Sequence, residues 1–210
     1  MPIQRELNTA NGGNLSHVGD LNLKEGSRSV LGIVGSPRRN GNTEILVDVV
    51  LGAAEENGAA IHKVILSKLD IGPCRACDTC RRTGKCVQKD DMEELVTKIK
   101  NSDVLILGTP VYWWGPTAQF KAFLDRWYGV YNQGIFKEKE TVLVIPLEDT
   151  KESTCKPILD MLKSIMEYLN MTHVGTVLAP GVYERGAVRD HQEFLDNARR
   201  VGSKLASVKA

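Results

Sequence analysis

From residue 29 onward, short runs of apolar and β-branched residues alternate with longer segments in which apolar positions recur every three or four residues. The short runs have the length and composition of strands, and the longer segments have the period of helices. Strands are expected over residues 29–35 (SVLGIVG), 61–66, 103–108 (DVLILG), 141–145 and 172–178. Helices are expected over residues 43–57, 91–100, 117–127, 153–169 and 188–208. The first carries Ile45, Leu46, Val49, Val50 and Ala53 on one side, and the second Met92, Leu95, Val96 and Ile99. A strand as uniformly apolar as residues 103–108 is buried on both faces, as in a parallel sheet covered by helices. The alternation predicts an α/β fold: a doubly wound, five-stranded parallel sheet in the order 2-1-3-4-5, with ligands at the carboxyl ends of strands one, three and four.

Composition sets the limits of that fold. The 210 residues, 42% hydrophobic and 25% charged, suit one domain with a sizeable core. Residues 1–27, rich in Asn, Gly and Ser, are expected to form a loose arm, leaving residues 28–210 as the domain, with a cysteine-bearing loop, 72–90, inserted in it. A formal net charge of +1 gives no global field to recruit nucleic acid or an anionic membrane. No apolar run approaches the roughly 18–20 residues of a membrane span, and the opening MPIQRELNTANGG lacks a signal-peptide core, so the protein is expected in the cytoplasm.

The end of the first strand reads Gly35-Ser36-Pro37-Arg38-Arg39-Asn40-Gly41-Asn42-Thr43, directly before a helix. Hydroxyl and amide donors, two glycines that permit a tight loop, free amides at a helix start and an arginine together describe an anion cradle. There is no G-x-x-x-x-G-K-[ST] and no G-x-G-x-x-G, so a triphosphate loop and a dinucleotide fingerprint are both excluded, and a terminal monophosphate fits. The competing reading is an ordinary loop whose Asn42 or Thr43 only caps the helix. Strand three runs into Pro110-Val111-Tyr112-Trp113-Trp114-Gly115-Pro116, a stiff loop with three aromatic rings at its tip. A flat amphipathic heterocycle such as isoalloxazine would bury those rings, and the phosphate loop is its neighbour in the expected strand order. A subunit contact or a cap on the core would cover them equally well.

Between strand two and the next helix stand four cysteines within thirteen residues, Cys74-x2-Cys77-x2-Cys80-x5-Cys86. In a reducing compartment such a set reads as metal ligands rather than disulfides. Three sulfurs in one short loop, with a fourth returned by a turn at Gly84, suit an iron-sulfur cubane. Structural zinc more often splits its ligands into two separated pairs, but zinc or an unmetallated redox loop stays open. Arg75, Arg81, Arg82, Lys85 and Lys89 against a single Asp78 would offset the negative charge of a cluster on four thiolates and favour its reduced state.

Taken together, the phosphate loop, the TPVYWWGPTAQFKAFLDR stretch and the cysteine segment resemble the iron-sulfur flavoproteins, a branch of the flavodoxin-like NADPH-dependent FMN reductase family. The likeness covers roughly residues 29–200 and is strongest from Gly35 to Arg126. It implies that Ser36, Arg38, Asn40, Gly41, Asn42 and Thr43 hold the FMN phosphate and that Pro110, Val111, Tyr112, Trp113, Trp114 and Gly115 line the flavin. It further implies that Cys74, Cys77, Cys80 and Cys86 ligate a 4Fe-4S cluster. The chain departs from the pattern at Tyr112-Trp113-Trp114, which holds one aromatic more than many relatives, and at residues 146–150, which lack a glycine-rich ring contact. The implied activity is that of an FMN-dependent oxidoreductase passing electrons between flavin and cluster, with ferredoxin or NAD(P)H as donor and no side chain acting as acid, base or nucleophile. With the cysteine loop at the sheet edge, its cluster is expected to approach a neighbouring subunit's flavin in a homodimer or homotetramer. Two rivals remain: an NAD(P)H-dependent FMN or quinone reductase without a cluster, and a flavodoxin-like redox or metal sensor. Cys155 is expected to be a structural thiol, Arg126 to form an ion pair or a cap, and the four scattered histidines to form no site.

Overall fold

The computed structural model describes residues 27–207, so the arm expected over residues 1–27 lies outside the described residues but for Ser27. Five parallel strands, β1 (Ser29–Val34), β2 (Ala60–Ile65), β3 (Val104–Gly108), β4 (Glu140–Pro146) and β5 (Thr172–Ala179), stand in the order β2-β1-β3-β4-β5. This is the expected doubly wound, flavodoxin-like arrangement. Every residue of β3 and β4 is buried, because a central strand has helices on both faces and two neighbours for its backbone. Val34 is in register with Gly108, and Gly108 with Val144, so β1, β3 and β4 release their chains side by side at one rim.

Side-chain alternation along the strands divides the interior into two layers. Val30, Val34, Val104, Ile106, Val142 and Val144 face α1 (Asn42–Glu56) and α6 (Gln192–Gly202) through Leu46, Val47, Val50 and Ala198. Leu31, Ile33, Leu105, Leu107 and Leu143 face α3 (Met92–Lys100), α4 (Ala118–Asp125) and α5 (Lys156–Tyr168) through Leu95, Ile99, Phe120, Phe123 and Leu162. At the end of α6 the backbone of Gly202 lies so close to α1 that a Cβ there would stand 2.2 Å from the Val50 carbonyl oxygen. Only glycine allows that approach.

The elements differ from the sequence reading at their ends. The closing helix begins at Gln192 rather than 188, after a 3₁₀ turn over Ala187–Asp190, because Gly186 is left-handed (φ 84°) and His191 is not helical. The Val188 amide is meanwhile bound to the Asn42 side chain at 3.1 Å. A 3₁₀ turn over Glu152–Cys155 precedes α5, whose first turn carries Pro157, a residue with no N–H to donate. After Asp125, α4 tightens into a 3₁₀ turn over Arg126–Gly129, and one unexpected helical turn, α2 (Thr79–Thr83), forms within the cysteine loop. No helix among the described residues is long and apolar enough to cross a membrane.

Candidate functional site

The loop after β1 is pinned from below. Glu44, in the first turn of α1 with 4% of its side chain exposed, accepts the Asn40 amide at 2.7 Å and faces Lys63 at 3.3 Å and Arg39 at 3.4 Å. Burial pushes its carboxyl up, but the Asn40 bond and the two cations outweigh that and hold it below the usual glutamate range. Asn40 takes a left-handed conformation (φ 52°), which asparagine tolerates better than most residues. Gly41 is the helix N-cap and has no side chain to satisfy the first turn; a Cβ there would come within 2.9 Å of the Arg38 oxygen. The Asn42, Thr43 and Glu44 amides therefore find no acceptor among the described residues. An uncapped fifteen-residue helix directs that positive end at a small cavity lined by Ser36, Arg38, Asn42, Thr43, Pro110 and Tyr183.

Two of the expected phosphate contacts have other partners. The Asn42 side chain donates to the Val182 and Glu184 oxygens at 3.2 and 2.9 Å and accepts from Val188, latching the segment after β5 onto the phosphate loop. Arg38 donates to the Tyr183 oxygen at 2.9 Å and lies 5.3 Å from its ring. Arg38 lines the cavity with its guanidinium held by Tyr183, and Asn42 lines it while its side chain latches the segment after β5. Both amide hydrogens of Asn42 are engaged by backbone oxygens, so in this arrangement its side chain has no donor left over for an anion.

After β3 the chain makes a tight reversal. Tyr112 and Gly115 exchange backbone hydrogen bonds of 2.8 and 3.0 Å, with Trp113 (φ 50°) and Trp114 (φ 60°) both left-handed between them. Such turns ordinarily hold Asn-Gly. Here two indoles are forced outward, Trp113 with 90% of its surface exposed and Trp114 with 54%. They wall a cavity of about 400 Å³ together with Val111, Leu147, Glu148, Asp149 and Thr154. Residues 147–149, which the sequence reading left out of the site, thus form its opposite side. Asp149 shapes that loop by accepting from the Thr154 hydroxyl and the Lys151 amide, which hold its carboxyl below the usual range. This cavity and the smaller one at the start of α1 share Val111, Leu147 and Glu148, so they are two ends of one cleft. Buried Thr117 ties the rim together: its hydroxyl donates to the Gly35 oxygen at 2.6 Å and caps α4, and its amide donates to the Thr109 hydroxyl.

The four cysteines line a separate cavity of about 340 Å³ with Arg126, Tyr128 and Gly129. Left-handed Ala76 and Asp78 bend the backbone between the first three, and Gly84 (φ 72°) ends α2 and returns Cys86, as the spacing suggested. Cys74, Cys77 and Cys86 are exposed and Cys80 partly so. The Thr79 amide and hydroxyl pull the Cys77 thiol below its usual range, which favours the thiolate a metal needs. Among the described residues no three Cys, His, Asp or Glu converge on one ion site. A cubane does not require that, since each sulfur binds a different iron. Sequence reasoning expected Arg126 to pair, and it does, with Asp90 across 36 residues. It did not expect Arg126 at the cysteines, where Nη2 reaches the Cys86 sulfur at 3.5 Å. The available signal was a charge between Phe123 and Trp127, on the buried side of a short helix.

A doubly wound sheet with an uncapped helix start and an aromatic-walled cleft at one rim defines a flavodoxin-like redox protein that binds a mononucleotide cofactor. The chain belongs to the NADPH-dependent FMN reductase family, whose family model matches residues 28–183, and it is an FMN-dependent oxidoreductase. It is 34% identical over 176 residues, 84% of this chain and 78% of the other, to an iron-sulfur flavoprotein of Archaeoglobus fulgidus. A second iron-sulfur flavoprotein, from Methanocaldococcus jannaschii, is 43% identical over 97 residues, 46% of this chain and 50% of that one. Among solved structures, the NAD(P)H:quinone oxidoreductase of Methanothermobacter marburgensis superposes with a TM-score of 0.68 at 20% identity, over 85% of this chain and 99% of that one. That likeness speaks to the fold.

Proposed function

We propose that the protein is an electron-transferring oxidoreductase in which FMN in the cleft and a 4Fe-4S cluster in the cysteine cavity exchange electrons, with ferredoxin or NAD(P)H as donor. FMN supplies the ability to take electrons as a pair and pass them singly, and a cluster carries one at a time. What the chain contributes is placement. Ser36, Arg38, Thr43 and the free amides of α1 suit a phosphate monoester. Trp113 and Trp114 give the ring two apolar faces and keep water from it, while Glu148 and Asp149 border its far side.

The observation that carries the reading is the position of the two cavities at opposite ends of α4. Its N-cap, Thr117, is bonded to the start of the phosphate loop, and Arg126, just past its last turn, touches Cys86. Eight residues of helix span about 12 Å. A short rigid helix thus sets the spacing between the two cavities. Exposed Arg75, Arg82, Lys85 and Lys89 surround the cysteines with positive charge suited to an acidic donor such as ferredoxin. The names of the iron-sulfur relatives support the same reading. A cytoplasmic homodimer or homotetramer completes it, with the exposed indoles covered by a second subunit.

Anaerobic purification followed by iron, sulfide and FMN analysis tests the proposal. One FMN and about four iron and four sulfide per chain are expected. Protein that carries FMN without iron or sulfide, and is reduced by NAD(P)H alone, would be a cluster-free reductase. A monomer that still reduces its flavin through the cluster would remove the assembly from the reading.

A further inference from the structure

Arg126 occupies a position suited to an apolar side chain. It follows Phe123 by one helical turn, adjoins buried Trp127, and leaves 2% of its side chain exposed. An apolar residue of that size would serve the fold without the penalty of burying a guanidinium. The Asp90 carboxylate offsets that penalty by accepting from both terminal nitrogens, Nη2 at 2.9 Å, and Nη1 also donates to the Gly72 oxygen at 3.0 Å. Burial opposes ionisation of both partners, and their mutual bonds and charges overcome it, keeping Asp90 anionic and Arg126 cationic. The bidentate pairing fixes the plane of the guanidinium. In that plane Nη2 meets Cys86 Sγ at 3.5 Å, whereas Nε finds no acceptor at all among the described residues. The orientation thus favours the sulfur at the expense of a satisfied Nε.

We infer that Arg126 is a positioning residue for the metal centre: held by Asp90, it orients the Cys86 sulfur and stabilises the reduced cluster. The inference rests on the proposed cluster. An N–H donor and the positive member of an ion pair at a ligand sulfur both favour the state with one more electron, so the reduction potential is raised. The exposed Arg75, Arg82, Lys85 and Lys89 are screened by solvent and act more weakly. Arg126, out of water and rigid, is screened less by solvent; Asp90 offsets part of its charge, so the fixed N–H at Cys86 and the nearer end of the ion pair carry the effect.

Two variants test this without relying on turnover. Arg126→Met with Asp90→Asn removes both charges together, so that no buried ion is left alone. Arg126→Lys keeps the charge opposite Asp90 but lacks the fork that spans Asp90 and Cys86. Each is prepared anaerobically and titrated through the cluster absorbance against redox dyes, alongside iron, sulfide and FMN analysis and a chelator challenge. In the double variant the reduced-to-oxidised ratio at a fixed potential is expected to fall about tenfold, or about 59 mV for one electron. The Lys variant is expected to fall between it and the parent and to lose iron to the chelator faster than the parent. If the double variant does not fold, the Lys variant decides alone. Full iron with an unchanged potential and unchanged chelator loss overturns the role of Arg126 and leaves the cluster standing. A parent protein with FMN and no iron overturns the cluster reading, and this inference with it.

Discussion

Replacing Trp113-Trp114 with Asn-Gly separates what the aromatic turn does for the fold from what it does for the flavin. Both indoles sit at positive φ, 50° and 60°, where a residue with a Cβ is destabilised by about 1–2 kcal/mol. Glycine removes that strain and asparagine lessens it, a relief of about 2–3 kcal/mol in all. Against this stand the ring pair, centroids 6.0 Å apart and tilted by 49°, and the greater freedom of glycine in the unfolded chain. The ring pair contributes about 0.5–1.5 kcal/mol and the glycine about 0.5–1 kcal/mol. Trp113 is 90% exposed and loses almost no burial, but Trp114 is 54% exposed, so nearly half of an indole, on the order of 100 Å², is uncovered at a cost of about 2–3 kcal/mol. The net expectation is an apo-protein less stable by about 1–2 kcal/mol, or several degrees in Tm for a domain of this size, a loss that would be about 2–3 kcal/mol greater if the turn carried no strain. Losing one aromatic wall of the cleft should meanwhile weaken FMN binding about tenfold, some 1.4 kcal/mol. Calorimetric melting of the apo-protein and a fluorescence titration with FMN read the two effects independently. A variant that melts lower by the full sum of the lost contacts, about 4 kcal/mol or more, and binds FMN as tightly as before would refute both the strain and the placement of the flavin.

Other consequences follow from single contacts. Arg38→Ala should weaken FMN about tenfold while leaving riboflavin unaffected, because a charge-assisted bond to phosphate contributes about 1.5–3 kcal/mol only when phosphate is present; paired titrations with the two ligands check this. Gly202→Ala should destabilise the protein by about 2–3 kcal/mol in urea unfolding, since the new methyl would lie 2.2 Å from the Val50 oxygen and must push α6 away from α1. Asp90 is depressed in the folded protein, so its contribution is present above its unfolded value of about 3.9 and is lost as pH falls through the lower folded value. The stability gap between the parent and Asp90→Asn, measured by urea unfolding, should therefore be constant near neutrality and close below about pH 4. A gap that instead closes on raising the pH would contradict the pairing.

Much of the architecture was legible because the central strands carry so little else. VLILG and TVLVI admit no solvent-facing side, and with the period of the intervening helices they determine a parallel sheet with covered faces. The cysteine spacing and the turn at Gly84 were likewise local properties of thirteen residues. Contacts between distant segments were not legible. Asn42 looks like a phosphate ligand in its own loop, and only the fold shows its amide engaged by residues about 140 positions away. Glu148 and Asp149 read as a generic polar loop, because no glycine or aromatic marks them, yet register between β3 and β4 brings them across from the indoles. The start of α6 was misplaced for a similar reason: the Val188 amide, which could have opened a helix, is bound to Asn42 instead. Arg126 left a trace, a charge on the buried side of a short helix, but nothing local indicated the sulfur it meets.

The most direct test of electron exchange between the two cavities is the anaerobic reduction of bound FMN by reduced ferredoxin, followed by rapid mixing in the parent protein and in Cys77→Ala. The account predicts that the variant retains FMN in the cleft, loses iron, and reduces its flavin only at background rate with this donor. Equal flavin reduction in both proteins, with iron absent from the variant, would contradict it.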